Sequence, residues 1–344
     1  MYMPTGYTDP VDEYWKLVRG VTLWDVACER QIEVTGPDAA RFVQLLTPRN
    51  LSRFPVGSCR YVLLTASDGG IVNDAVLLRL APERFWLSPG DGDVLLWAQG
   101  VAIHSGMEVG IREPDVSPLQ LQGPRSPEVA RALFGDWTRE LGYYWLRETQ
   151  LDGMSLVCAR TGWSGEVGYE IYLCDGRRGE ELWERVMEAG RPWGIAPIAP
   201  STIRSVEGGL LSYASDIRRE DDPFVLGFER LVDLDQEAEF IGKAALRRIA
   251  ERGPTRRLVG VEIDGAPLSA GNDRFWTVLH AGGAVGHLTR CVHSPRLGRN
   301  IGFANVPVGL AAPGSGLAVE TPGGPRAARV VPTPFVEPQR EISG

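Results

Sequence analysis

The sequence predicts an α+β protein in which two mixed α/β regions are followed by a small all-β domain. Three observations lead there. Strand-like and helix-like segments alternate through the first ~250 residues. Beyond residue 254 only short strands remain, at near-regular spacing between Gly/Pro turns, the pattern of a small barrel. The 41 Gly and 25 Pro supply the many turns that such an architecture needs.

The elements follow in order. Residues 13–18 read as one or two helical turns, 21–26 and 30–34 as strands, and 39–46 as a helix that Asp38 could cap. Residues 59–65 and 71–80 read as a hairpin around Asp68-Gly69-Gly70, and 84–88 as a third strand. Helices are expected at 91–101 and at 126–134, the latter with Ser126 as cap and Pro127 in the first turn. Strands at 107–111, 119–123 and 155–160 lead into Thr161-Gly162-Trp163-Ser164-Gly165-Glu166-Val167-Gly168-Tyr169-Glu170-Ile171-Tyr172. A helix over 180–189 and a further one from 199, with Ser201 at its N-cap, precede a linker at 253–255. Six short strands then fall at 258–263, 276–280, 284–289, 300–306, 317–321 and 326–331.

Composition narrows the function. The 43% apolar content is enough for buried cores, and no apolar run approaches the ~18 residues of a membrane span. The first residues lack the basic and apolar regions of a signal peptide, so a cytoplasmic location is expected. Five scattered cysteines without a Cys-x-x-Cys pair argue against a disulfide framework or a structural metal site. His280, His287, Cys291 and His293 gather three of the four histidines, yet their spacing matches no usual ligand pattern, and no metal is expected. A net charge of −8 without a basic run disfavours nucleic acid. No dinucleotide or Walker loop is present. Oligomeric state stays open between monomer and homodimer.

Two carboxylates stand out. Asp74 lies in an otherwise apolar strand, so it is either paired to turn amides near Gly69-Gly70 or faces a pocket. Glu170 follows a glycine-rich loop and suits a planar ligand that presents parallel N–H donors, with Trp163 as a flat wall. Without further context the same loop reads equally well as a plain hairpin turn. Glu166 is expected to be solvated.

Together these residues resemble the glycine-cleavage T-protein family of tetrahydrofolate-dependent one-carbon transferases. Residues 162–170 are similar to its Gly-Tyr-Thr-Gly-Glu-x-Gly-x-Glu signature, with Trp163 and Ser164 replacing Tyr and Thr. Gly69-Gly70-Ile71-Val72-Asn73-Asp74 resembles Gly-Gly-x-x-Asp-Asp, and Glu207-Gly208-Gly209-Leu210 a Glu-Ala-Gly-Leu helix end. Residues 286–302 and Pro334-Phe335-Val336 resemble the C-terminal barrel. Within the family, residues 24–34, 73–77, 86–88, 207–213 and 231–235 look like the dimethylsulfoniopropionate demethylase branch. Ser201 stands where the T-protein has a folate-contacting arginine, whereas Gly165-Glu166 is the T-protein form.

The resemblance implies a three-domain ring, or cloverleaf, with tetrahydrofolate at its centre. The domains would be 1–50 with 140–252, then 51–139, and a barrel at 254–335. Asp74 would serve catalysis at N5, and Trp163, Glu170, Glu207 and Ser201 would bind the folate. Tyr7, Trp24 and Tyr213 would cradle a small methyl donor, a sulfonium, ammonium or O-methyl compound, by cation–π contact. The rival readings are aminomethyl transfer in glycine cleavage and a non-catalytic folate-binding protein. The latter's Lys-Gly-Cys-Tyr-x-Gly-Gln-Glu motif is absent.

Overall fold

The structure is a computed structural model describing residues 4–342. Its first sheet has six strands in the order Ala196–Pro197, Thr22–Asp25, Ser117–Gln122, Gly168–Leu173, Met154–Ala159 and Leu146–Leu151. Only the Ala196–Pro197 contact is parallel. Because side chains alternate along a strand, Leu23, Leu121, Tyr169, Ile171 and Cys158 share one face. That face buries against Val129 and Ala130 of helix Ser126–Phe134 and Leu182 and Val186 of helix Gly179–Gly190.

The second sheet has five strands, ordered Ser58–Thr65, Ile71–Ala81, Arg84–Pro89, Ile32–Thr35 and Gly110–Arg112. Val62, Leu64, Leu77, Phe85 and Leu87 pack on Phe42, Val43 and Leu46 of helix Ala39–Leu46 and on helix Val94–Ile103. Cys59, Leu78 and Trp86 point the other way and meet Leu146, Val157, Ala159 and Tyr172 of the first sheet. The third unit is a closed barrel of six strands between Arg256–Ile263 and Gly324–Val331. Leu63 and Ile71 of the second sheet meet Val206 and Leu211 and the barrel residues Val292, Ile301 and Phe303. The expected architecture, two mixed α/β units and a C-terminal barrel, is therefore present. Among the described residues no helix is long and apolar enough to cross a membrane.

Sheet pairing divides the chain differently from the boundaries expected at 50/51 and 139/140. Strand Ile32–Thr35 joins the second sheet and helix Ala39–Leu46 packs on it, while Ser117–Gln122 returns to the first. The units exchange strands, and such long-range pairing leaves no mark in local sequence. Local chemistry also differs at two ends. Asp38 makes no side-chain cap, because its carboxylate binds Arg41 and the Glu108 amide instead. Ser201 does cap its helix, accepting from the Arg204 amide, but that helix stops at Glu207, where Gly209 turns left-handed at φ +68°.

Candidate functional site

The two sheets face each other, and their registers decide which side chains meet. On the second sheet Tyr61 pairs with Val76 and Val76 with Ser88, while Asp74 sits beside Leu63 one row along. On the first sheet Trp24, Gln120 and Glu170 form one row, with Tyr172 on the same face. A hydrogen-bond chain joins the two. Tyr172 donates to Glu170 at 3.1 Å and lies against Ser88, and Gln31 donates to the Ser88 hydroxyl at 3.1 Å.

Glu170 is buried and held by three neutral donors: Gln120 at 2.9 Å, the Thr161 hydroxyl in a short contact, and Tyr172. Burial raises its pKa, and those three hydrogen bonds oppose the rise. Asp74 accepts from the Tyr61 hydroxyl at 2.9 Å. Burial pushes its pKa up to about 6, against the Tyr61 bond and the Tyr213 amide. The Gly70 amide is taken by Asp68, so Asp74 is not a turn-pairing residue. Asp74 is half-buried, so part of its side chain stays open to a ligand.

Two orphan acceptors belong to the same hydrogen-bond network. The Oε1 atoms of Gln31 and Gln120 are buried without a hydrogen-bond partner. Among the described residues neither Glu170 nor Asp74 forms an ion pair, and the side chains that bind them are neutral. Buried orphan acceptors are costly, and a ligand that brings several N–H donors removes the cost. A reduced pterin, with its amino group and ring N–H groups, has such an edge, so the residues present fit tetrahydrofolate.

The glycine loop runs between Thr161 and Glu170, whose side chains bond each other. A Cβ at Gly162 or Gly168 would strike Gln122 at 2.3 and 2.4 Å, which is why the loop carries glycine at both positions. Ser164 donates to Gln122 at 2.6 Å. Trp163 is half-buried, donates to the Leu211 carbonyl at 3.3 Å and has the Arg290 guanidinium 5.5 Å from its ring centre. Glu166, expected in solvent, is buried in an ion pair with the fully buried Arg204 at 2.7 Å. The chain end returns to brace this loop, with the Gln339 amide on the Gly165 carbonyl at 2.7 Å and Arg160 on the Arg340 carbonyl at 2.9 Å.

The other expected site residues fall in varied places. Tyr213 is half-buried beside Asp74 and Gly92. Trp24 shares the row of Glu170, but Leu17, Val26 and Ile198 cover it completely, and its indole N–H goes to Thr22. Tyr7 is 45% exposed on the N-terminal segment, its backbone amide tied to Glu13. Glu207 is fully buried away from solvent, bound by Tyr14 at 3.0 Å and Ser294 at 2.6 Å, and so joins the N-terminal helix to the barrel. Ser201 is occupied as a helix cap. His280, His287 and His293 contact Gly316, Phe275 and Asn300 respectively, and the described residues contain no cluster suited to a metal.

Tyr61, Gln31, Gln120, Thr161 and Tyr172 were not singled out for the site by the sequence. Thr161 and Tyr172 flank the glycine signature and alternate with Glu170, which is the signal that could have found them. Gln31 and Gln120 are polar residues beside apolar ones at strand positions, a weaker signal of the same kind.

Comparison with known proteins defines the class. The family model for the GCVT N-terminal domain matches residues 1–236, and that for the glycine cleavage T-protein C-terminal barrel domain matches 256–337. The chain belongs to the glycine cleavage T-protein family and is a tetrahydrofolate-dependent one-carbon transferase. It is 38% identical to the dimethylsulfoniopropionate demethylase of Ruegeria pomeroyi over 330 residues, which covers 96% of this chain and 90% of that one. It is 34% identical to an aminomethyltransferase of Symbiobacterium thermophilum over 350 residues, covering 97% and 91%. The crystal structure of the glycine cleavage system aminomethyltransferase T from Bartonella henselae superposes with a TM-score of 0.88 at 26% identity, covering 98% and 93%.

Proposed function

We propose that this protein moves a methyl group from a small sulfonium donor, of the dimethylsulfoniopropionate type, to N5 of tetrahydrofolate. The observation that carries the reading is the pair of carboxylates Asp74 and Glu170 on facing sheets, each held by neutral donors and neither in an ion pair among the described residues. Uncompensated negative charge beside tyrosine rings favours a positively charged ligand. The relatedness to the Ruegeria pomeroyi demethylase supports the same donor class.

Tetrahydrofolate supplies the nucleophilic nitrogen. Glu170, held by Gln120, would accept the N–H edge of the pterin, and Trp163 would lie against its ring. Asp74, steadied by Tyr61, holds the N5 side and takes the N5 proton once the carbon–nitrogen bond forms. The carbon–sulfur bond breaks with its electron pair staying on sulfur, so the donor leaves as a neutral thioether and needs no acid. The protein's main contribution is then alignment of the two reactants.

Incubation with tetrahydrofolate and dimethylsulfoniopropionate should yield 5-methyltetrahydrofolate and the demethylated thioether. Aminomethyl transfer is the second reading, kept by the Gly165-Glu166 form of the loop. If only an aminomethyl-lipoyl carrier protein supports turnover, giving 5,10-methylenetetrahydrofolate, methyl transfer is refuted. Glu170→Gln keeps the shape but turns an amide toward the hydroxyl donors of Thr161 and Tyr172. Losing a charged hydrogen-bond acceptor is worth about 1.5–3 kcal/mol, so the KM for tetrahydrofolate should rise roughly 10- to 100-fold. Steady-state kinetics with the donor saturating reads this. An unchanged folate KM would remove Glu170 from the pterin site.

A further inference from the structure

We propose that Asn73 is the positioning residue for Asp74: its buried side-chain amide stands in for a missing strand partner and fixes the Asp74 backbone. The inference rests on the reading of Asp74 as the group that handles the N5 proton, and its test separates the two.

Strand alternation puts Asn73 and Asp74 on opposite faces of the second sheet. Asn73 shares its face with Ala75 and Leu77, which pack on helices Ala39–Leu46 and Val94–Ile103. Asn73 is buried there. An amide among core residues must satisfy both its donor and its acceptor, since each one left unmade costs about 1–3 kcal/mol. Asn73 satisfies both locally. Its Oδ1 accepts from the Asp74 amide at 2.8 Å, and its Nδ2 donates to the Asp91 carbonyl at 2.5 Å.

These two bonds fall where the sheet runs out. Strand Arg84–Pro89 pairs with Ile71–Ala81 only as far as Ala75 opposite Pro89. The chain then leaves through Gly90–Asp93 to start helix Val94–Ile103. On the other side the ladder pairs Leu63 with Asp74 and Leu64 with Asn73, then slips before Thr65. Asp74 therefore sits at the frayed end of the sheet. One acceptor and one donor in a fixed amide are what a neighbouring peptide unit would have offered. The departing turn is fitted to that amide. Gly92 has φ +100°, and a Cβ there would lie 2.6 Å from the Asn73 Nδ2 and 4.0 Å from the Tyr213 ring. Asp74 is thus held twice, by Asn73 at its backbone and by the Tyr61 hydroxyl at its carboxylate. Aspartate at position 73 would keep the acceptor and lose the donor, and alanine would lose both.

The test compares Asn73→Ala and Asn73→Asp, each made with Asp74 and with Asp74→Asn. Hydrogen exchange at the residue-74 amide, followed by NMR in the ligand-free protein, needs no turnover. Protection should fall about tenfold or more in Asn73→Ala, as for one lost hydrogen bond, and persist in Asn73→Asp. Turnover is measured with whichever donor supports it, dimethylsulfoniopropionate or the aminomethyl-lipoyl carrier protein. Asn73→Ala should lower kcat about tenfold beside Asp74 but less than about twofold in the Asp74→Asn background. Its tetrahydrofolate Kd, read by calorimetry, should stay within about twofold of the parent. A residue that only supported the fold would cost the same in both backgrounds. Unchanged protection in Asn73→Ala, lost protection in Asn73→Asp, or equal kcat losses in the two backgrounds would each overturn the assignment. Asn73→Asp decides the point if the alanine variant does not fold. If Asp74→Asn alone turns over like the parent, the proton-handling reading of Asp74 fails. Loss of protection in Asn73→Ala would then still assign Asn73 to the Asp74 backbone.

Discussion

Asp74→Asn should lower turnover by roughly 10²- to 10³-fold, within the range of positioned acid–base groups, and at the same time make the protein more stable at neutral pH. The two effects share one cause. Burial lifts the Asp74 pKa from 3.8 to about 6, so the folded protein pays to ionise it. The stability this carboxyl contributes is complete below pH ~4 and is lost as pH rises through about 6. Asparagine has no charge to bury and can still accept from Tyr61. The gain at pH 8 is at most about 3 kcal/mol from the pKa difference, and smaller where water reaches the group. It should vanish at pH 4. Denaturant unfolding at the two pH values measures it. In the unsubstituted enzyme kcat should rise with pH through about 6, as Asp74 ionises, and then level. A variant that turns over within a few-fold of the parent, or keeps the rise, would show that Asp74 does not handle the proton.

Arg204→Met should destabilise the fold by about 3–5 kcal/mol, the usual consequence of removing one partner from a buried pair. Arg204 is fully buried. It bonds Glu166 at 2.7 Å and the Gly165 carbonyl at 3.2 Å, and lies 4.0 Å from Glu207. Without it, Glu166 is left in a closed space with only Arg296 at 4.0 Å. Glu166→Gln in the same chain should restore much of the loss, since the uncompensated charge is then gone. Chemical denaturation of Arg204→Met, Glu166→Gln and the double variant forms the cycle. The single variant should also bind tetrahydrofolate more weakly, because Arg204 supports the glycine loop from below. A loss under 1 kcal/mol would mean that this ion pair does not hold the loop.

The elements that the sequence placed best are those that depend on neighbours in the chain. Helix Ala39–Leu46 and strand Trp276–His280 lie where their patterns put them, and the barrel strands agree to within a few residues apart from the longer Gly283–Ser294. Hairpins and amphipathic turns are local, so their signals are local too. Glu170 and Asp74 were legible for a related reason, since a carboxylate among apolar strand residues needs an explanation wherever the strand goes. What surrounds them was not legible. Gln120 reaches Glu170 across 50 residues of chain, and Glu207 meets Ser294 across 87. Motif resemblance put Glu207 with the folate; the fold surrounds its carboxylate with Tyr14 of the N-terminal helix and Ser294 of the barrel, which the motif does not reveal. Glu166 reads as a loop-tip charge and is buried only because helix Thr202–Glu207 brings Arg204 beneath the loop.

The sequence by itself determined the mixed α/β class, the barrel, the glycine loop and the two carboxylates, because backbone periodicity, turn chemistry and the cost of burying charge act residue by residue. Tertiary structure alone decided which polar groups hold the three units together and which gather around Asp74 and Glu170. That division depends on strand registers set between distant segments, and a one-residue slip would have turned each of these side chains to the opposite face.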